Sequence, residues 1–518
     1  MATIVLTTLN AKFIHAAFGL RYLMANLGSL RSEAKIIEFD INQRPMDIVE
    51  GILAEEPRIV GLGVYIWNAA LSLEIVSALK RIAPGVMIVL GGPEVSYEIE
   101  AQAIASVADY VVTGEADLKF AELCSQLLGG TPPANKIIPS ELPELGQLLL
   151  PYEFYDERDI AHRVIYVEAS RGCPFTCEFC LSSLDVPVRQ FPLARFLSEL
   201  DRLLQRGVKQ FKFVDRTFNL NLSVSQSILQ FFLERLRPGV FLHFEMIPDR
   251  LPDGLRALIQ NFPPGALQFE IGIQTFNEEV ANRIKRRQNY RKVEENLRFL
   301  RQETRVHIHA DLIVGLPGES VESFGRGFDR LVALGPQEIQ VGILKRLRGT
   351  PIVRHDADWA MVYSEHAPYE ILQNKLIDFA SMQRMRRFAR YWDLVANSGN
   401  FIETTALLWK NSDSPFDSFV GLGEWLYAKL GRCHGIGLLH LAEMFFEFLT
   451  EVIGHDRSEV ALAFWRDYSR SGRRTEVPAF LRDLVPVDHS PRRQMSTSAA
   501  PKRQARHWLP DPTEPGIV

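Results

Sequence analysis

Short apolar runs alternate with helix-periodic segments over residues 1–130, and this alternation limits the possible folds more than any other feature of the chain. Strand-like runs fall at residues 3–8, 36–40, 59–66, 87–90 and 110–113, with helical patterns near 16–27, 46–54, 71–82, 99–106 and 118–128. Parallel neighbours need a crossover between them, so a strand–helix repeat predicts a parallel α/β sheet. Five such strands suggest a doubly wound sheet, in which ligands sit beyond the carboxyl ends of the strands. The loops at those ends carry Asn10 to His15, Tyr65-Ile66-Trp67-Asn68, Gly91-Gly92-Pro93-Glu94 and Gly114-Glu115-Ala116-Asp117. Glycine there lets backbone approach a ligand closely, although Gly-Gly-Pro also makes a tight turn and an aromatic ring also caps a core.

Residues 131–162 hold Pro132, Pro133, Pro139, Pro143 and Pro151 and read as a linker. A second alternating stretch, 163–352, has strand runs at 164–168, 210–214, 241–246, 267–273, 307–314 and 340–344, with helical patterns such as 193–206 and 291–301 between them. Six βα units fit a partial (β/α)6 barrel, whose functional groups belong at the carboxyl ends of its strands. Residues 353–485 read as a helical domain, opening with a long helix over 367–397 whose basic face holds Arg384, Arg386, Arg387 and Arg390. The tail, 486–518, is rich in Pro, Ser, Arg and Gln and is expected to be disordered.

With 518 residues the chain has room for about three domains. Its 47% hydrophobic and 23% charged residues and net charge of -5 create no global field that argues for nucleic acid or membrane as a partner. The start lacks the basic and apolar segments of a secretory signal, and no uncharged apolar run reaches about 18 residues. Five cysteines, three of them clustered, fit a reducing compartment, so a cytoplasmic protein is expected.

Those three lie in Arg171-Gly172-Cys173-Pro174-Phe175-Thr176-Cys177-Glu178-Phe179-Cys180, directly after the β-rich residues 164–168. The CxxxCxxC spacing offers three thiolates to a four-iron cluster, leaving one iron open to another ligand. A zinc site takes a fourth Cys or His at short spacing, and Cys124 and Cys433 are far away in sequence. A redox CxxC would leave Cys173 idle.

This loop behind a first strand resembles that of the radical S-adenosylmethionine (SAM) superfamily, including the aromatic Phe179 before the last cysteine. The resemblance implies a [4Fe-4S] cluster held by Cys173, Cys177 and Cys180, with SAM on the open iron. It extends along the barrel. Asp215, in Lys212 to Asn219, is similar to the family's acceptor for the SAM ammonium, the alternative being a structural ion pair with Arg216 or Lys212, and Glu245 is similar to an acidic residue near the SAM ribose or methionine. Gly272-Ile273-Gln274-Thr275 matches a family pattern that faces Gln274 to the site. Asp311 to Ser320 matches another, whose backbone near Ile313 would border the adenine. Leu347-Arg348-Gly349-Thr350-Pro351 resembles an ending of cobalamin-associated members. Lys345, Arg346 and Arg348 read either as an anion site or as a solvated basic edge.

The first 130 residues, with the GGPE loop and the TGEAD end, resemble the flavodoxin-like (Rossmann-type) cobalamin-binding domain of B12-dependent radical SAM proteins. Asn10, His15, Tyr65, Trp67, Gly91, Gly92, Pro93, Glu94, Gly114 and Glu115 are the implied cobalamin contacts, the glycines leaving space for the nucleotide tail. Many relatives place Asp and Gly around a cobalt-binding His; here Phe13 and Phe18 stand at those positions. The lower corrin face is therefore expected to be unligated or shielded by Tyr65 or Trp67. The C-terminal region resembles a poorly characterised extension, in which Cys433-His434 reads as an inert loop or as a substrate site. The whole implies an enzyme that cleaves SAM reductively, most simply to methylate an unactivated carbon of a small molecule or peptide, with flavodoxin or ferredoxin as electron donor. Cyclisation or ring contraction without methyl transfer, or a corrin-binding scaffold, are the alternatives.

Overall fold

The computed structural model describes residues 1–185, 187–470, 476–485 and 501–507. They gather into two compact units. The first comprises Met1–Arg216, Lys345–Val353 and Tyr363–Glu370; the second comprises Thr217–Leu344, Arg354–Val362 and the described residues from Ile371 onward.

In the first unit, strands β1 (Ile4–Asn10), β2 (Ala34–Asp40), β3 (Ile59–Gly63), β4 (Met87–Gly91), β5 (Tyr110–Thr113) and β6 (Ile137–Pro139) form one sheet in the order β2-β1-β3-β4-β5-β6. Every pair is parallel. Successive side chains on a strand point to opposite faces, so each face needs its own cover. Val5, Leu9, Val60 and Leu62 pack with Ile48, Ile52, Ile75 and Leu79 of helices Pro45–Leu53 and Ala69–Ile82. Ile4, Leu6, Ile59 and Val112 pack with Leu20, Met24, Phe120 and Leu123 of Phe18–Ala25 and Lys119–Leu128. The doubly wound expectation holds.

Three details differ from the sequence reading. The sheet has a sixth strand, taken from the supposed linker, because Pro139 sits at an edge where its missing N–H breaks no ladder bond. Strand β3 stops at Gly63 rather than running to Ile66, since the Asn68 side chain accepts from Tyr65 N at 2.8 Å and folds the segment into a turn. The linker also contains helix Glu157–His162, started by a capping box between Asp156 and Asp159.

The same unit holds the parallel pair β7 (Ile165–Val167) and β10 (Gln210–Phe213). Between them lies a small antiparallel pair, β8 (Ser170–Arg171) with β9 (Arg189–Gln190).

In the second unit β11 (Phe241–Met246), β12 (Leu267–Gln274), β13 (His307–Val314) and β14 (Glu338–Ile343) pair in parallel, each with the next. Helices Asp253–Ile259, Tyr290–Glu303 and Val321–Leu334 provide the crossovers. The stretch read as a barrel thus contributes strands to both units. Beyond it come Phe379–Leu394, Ile402–Leu407, Pro415–Leu430, Leu438–Glu447 and Arg457–Ser469. The long helix expected over 367–397 begins only at Phe379. Ile371–Gln373 is a strand, and the Asn374 side chain accepts from Leu376 N and Ile377 N before Asp378 caps the helix through Ser381 N. Most of the tail expected to be disordered lies outside the described residues; within it Lys502–Arg506 is a helical turn. Among the described residues no helix is long and apolar enough to cross a membrane.

Candidate cofactor site

The cysteine loop leaves β7 and is closed at its base by β8 and β9, where Arg171 faces Arg189. Cys173 N donates to Asp185 O at 2.9 Å, and Cys180 N to Cys177 O at 3.1 Å. Gly172 has φ +90°, and a Cβ there would stand 2.7 Å from Pro187 O and 2.9 Å from Asp185 O. The turn into Cys173 therefore requires glycine. None of the three cysteines is in a disulfide; Cys173 and Cys177 are buried and Cys180 is partly exposed. Among the described residues no three His, Cys, Asp or Glu side chains converge on one point as a single metal ion would demand. A polynuclear cluster asks for something different, because each thiolate binds its own iron, and three cysteines on one short loop fit that donor set.

Asp215 follows β10 and is 3% exposed. Its carboxylate accepts from Ala169 N at 3.0 Å and from the Ser170 hydroxyl at 2.6 Å, which fixes the backbone just ahead of the cysteines. Burial pushes its pKa up to about 6.

On the second unit Glu245, Gln274 and Ile313 lie toward the carboxyl ends of β11, β12 and β13. Gln274 is strained, with φ +71° at a register shift between Gly272 and Gln274. A Cβ on Gly272 would fall 2.4 Å from the Gln274 amide nitrogen, so Gly272 makes the room that the Gln274 side chain fills. The turn is held from several sides. Tyr290 OH donates to Thr275 O at 2.8 Å, Gln288 Nε2 to Ile273 O at 2.8 Å, and Thr275 Oγ1 to Glu319 at 2.6 Å. Glu319, from the Leu316-Pro317-Gly318-Glu319 segment, has its pKa raised to about 7 by burial.

In the sheet of the first unit, Trp67 is 47% exposed and stacks on Tyr65 with ring centroids 4.5 Å apart. Its indole N–H donates to Leu9 O at 3.1 Å. Phe13 and Ile14 are exposed on the loop after β1. His15 Nδ1 shares a 2.6 Å hydrogen bond with the Tyr166 hydroxyl. The local motif lacks an orienting partner for this imidazole, yet the fold supplies one from the distant β7. Burial, with Lys212 and Lys12, lowers the His15 pKa and keeps the ring neutral.

Other expected cobalamin contacts are committed to protein partners. Asn10 Nδ2 donates to Glu38 at 2.6 Å. Gly92, at φ +105°, would put a Cβ 2.5 Å from Val64 O, so its space is taken by backbone. Glu94 is buried and receives Arg348 Nε at 2.9 Å and Tyr369 OH at 2.6 Å. Pro93 opens a short 3-10 turn with Glu94, Gly91 ends β4, and Gly114 turns the chain at φ +74° after β5. Glu115 holds Arg171 and Arg189. Arg346 and Arg348 both lie within ion-pair reach of Glu98, so this edge is neither bare nor free. Phe179 is half-buried within the cysteine loop.

Sequence reading missed a polar file on the second unit. His243 pairs with Glu270 at 2.9 Å, and His307 with Glu338 at 3.0 Å. His309 lies 3.3 Å from Asp311 and 3.5 Å from Glu338, which raises its pKa to about 10 against the effect of burial. The period-two placement of His307, His309 and Asp311 was the available signal.

Comparison with known proteins gives three family matches. Residues 167–331 match the radical SAM superfamily, residues 4–124 a B12 binding domain, and residues 357–512 a protein of unknown function (DUF4080). The cobalamin-dependent radical SAM methyltransferase TokK of Streptomyces tokunonensis is 23% identical, covering 90% of this chain and 71% of that protein. The 2-(S-pantetheinyl)-carbapenam-3-carboxylate methyltransferase of Streptantibioticus cattleyicolor is 23% identical over 57% of this chain; the match spans 48% of that relative, about half its length. Among solved structures, the cobalamin-dependent S-adenosylmethionine radical enzyme OxsB superposes with a TM-score of 0.59 at 13% identity, covering 93% of this chain and 78% of that chain.

Proposed function

We propose that this chain, whose residues 167–331 match the radical SAM superfamily behind a B12 binding domain match at residues 4–124, methylates an unactivated carbon of a small-molecule or peptide substrate. Its cofactors are S-adenosylmethionine and a [4Fe-4S] cluster for one domain and cobalamin for the other. Bound there, the cluster supplies the electron that cleaves SAM, and the corrin supplies a methyl carrier. The observation that carries the reading is the loop of three cysteines outside any disulfide, closed at its base by β8 and β9 within the same compact unit as the B12-binding sheet.

In this proposal Cys173, Cys177 and Cys180 hold the iron. Gly172 admits the turn, and Asp215 pins residues 169 and 170 so that the loop starts from a fixed point. Phe179, Glu245, Gln274 and Ile313 are assigned to SAM, with the strained Gln274 turn held in advance by Tyr290, Gln288 and Glu319 through Thr275. Trp67, stacked on Tyr65 and half-exposed, offers an apolar surface to a corrin, and the neutral imidazole of His15, on the loop after β1, has its Nδ1 already bonded to Tyr166. The electron comes from a flavodoxin or ferredoxin, and the site of action is the cytoplasm.

The test uses anaerobically reconstituted protein supplied with SAM, cobalamin, a strong reductant and a metabolite extract from a strain lacking the protein. Methylation yields 5′-deoxyadenosine and S-adenosylhomocysteine in matching amounts. Deoxyadenosine without S-adenosylhomocysteine would instead mean radical chemistry without methyl transfer, and neither product would mean a scaffold.

A further inference from the structure

The two arginines at the base of the cysteine loop raise a physical problem that the rest of the first unit solves. Arg171 and Arg189 are directly opposed across the β8–β9 pair, and their side chains are only 12% and 17% exposed. Like charges facing each other across a strand pair destabilise it, and burial makes the repulsion worse. A carboxylate between them reverses the sign.

Glu115 is that carboxylate. Its Oε2 accepts from Arg171 Nη1 at 2.8 Å and from Arg189 Nη1 at 3.3 Å, while its Oε1 is bonded to Arg189 Nη2. Both arginines hold the Glu115 pKa below the usual carboxylate range although burial acts the other way. Asp117, two residues on, takes Arg171 in a two-point grip, at 2.8 Å to Nη1 and 3.1 Å to Nη2. Glu168 accepts from Arg171 Nε at 2.9 Å, and the guanidinium lies over the Tyr22 ring at 4.5 Å. Asp185 adds a weaker contact to Arg189 at 3.3 Å.

We propose that Glu115, with Asp117, is a positioning residue for the iron–sulfur loop: carboxylates of the B12-binding domain set the path by which the chain enters Cys173. Arg171 is two residues before Cys173, and Gly172 between them packs so closely on the Pro187 and Asp185 carbonyls that a Cβ would clash, so the guanidinium anchors the approach to the first thiolate. The Gly114-Glu115-Ala116-Asp117 loop after β5 therefore faces the cluster loop with its two acidic side chains. The proposal rests on the cluster reading above. It adds a direct mechanical link from the B12-binding sheet to the cluster, through Asp117 and through Glu115, which the family resemblance implies as a corrin contact.

The experiment compares full-length wild type with E115Q, E115D, D117N and D109N after anaerobic reconstitution with iron and sulfide. Asp109 is a control, since it is a partly buried carboxylate of the same sheet that binds Lys80 and Ile88 N rather than the loop. The readouts are iron loss to a chelator, the electron paramagnetic resonance spectrum of the reduced cluster, its reduction potential and the melting temperature. In E115Q, iron loss roughly tenfold faster than in wild type and an altered spectrum are expected. E115D recovers part of both, D117N follows E115Q, and D109N behaves as wild type. E115Q with wild-type iron retention, spectrum and potential overturns the proposal, as does a D109N defect equal to that of E115Q. Wild-type protein that takes up no iron overturns the cluster reading itself, a result distinct from either.

Discussion

Gly172 shows most sharply how a single atom decides whether the cysteine loop exists. Its φ of +90° and the carbonyls of Pro187 and Asp185 within 3 Å of any added Cβ leave no relaxed alternative. Gly172→Ala should cost about 1–3 kcal/mol in backbone strain alone, and more from the clash. Calorimetry should show a lower melting temperature, and reconstitution should show depressed iron uptake, with Cys173, Cys177 and Cys180 all still present. Glu319 makes a different residue-scale prediction. Burial raises its folded pKa to about 7, whereas an exposed glutamate titrates near pH ~4.3. Below both values the carboxyl is protonated in either state and has no effect. As pH rises from about 4 to 7 the unfolded chain releases a proton that the folded chain retains, so this residue lowers stability increasingly with pH. Between pH 4 and 8 the stability of Glu319→Gln relative to wild type should therefore rise by roughly 3 kcal/mol, read from denaturant melts. Glu168, Asp215 and Asp467 are shifted in the same direction but are common to both proteins and cancel in the comparison.

At the scale of elements, buried ion networks join pieces that are distant in sequence. Helix Glu157–His162 is tied to β2 and to helix Phe18–Ala25 by Arg21, which reaches Glu38 at 2.8 Å and Asp159 at 2.5 Å, with Arg163 at 2.9 Å from Glu38. Arg21→Met leaves two buried carboxylates sharing one cation, and should lower unfolding stability by about 3–5 kcal/mol in urea titrations. Asp467 does comparable work for the C-terminal helices. From helix Arg457–Ser469 it accepts Glu403 N, Thr404 N and Thr404 Oγ1 at 3.1, 2.9 and 2.8 Å, capping Ile402–Leu407 from outside. Asp467→Ala orphans those donors, and a loss of about 1–3 kcal/mol is expected, together with faster amide exchange at 403–405. Both networks were invisible in the sequence because neither has a local spacing. A helix start such as Asp156-x-x-Asp159 does have one, but it was hidden among prolines that made the segment read as linker. The same holds for β6, whose proline is compatible with a strand only at an edge.

For the molecule as a whole, the strand–helix alternation and the cysteine spacing were legible because each is enforced over a few residues: parallel strands need crossovers, and a cluster loop needs its thiols close together. The sheet order and the parallel strands of both units agree with the α/β part of that reading. What the chain could not reveal in one dimension is which polar residues are consumed by protein partners. Glu94, Glu115 and Asn10 looked available to a corrin, and each proves to hold an arginine or a carboxylate of the fold. Conversely His15, which lacked a partner in its own motif, receives Tyr166 across 151 positions. If the three-thiol loop is a cluster site for reductive cleavage of SAM, as proposed, 5′-deoxyadenosine accumulates in anaerobic reactions with SAM and a strong reductant. Chromatography should show steady formation by wild type and none by the variant carrying Cys173→Ala, Cys177→Ala and Cys180→Ala; equal yields from the two proteins, or none from iron-loaded wild type, would show that the loop is not such a site.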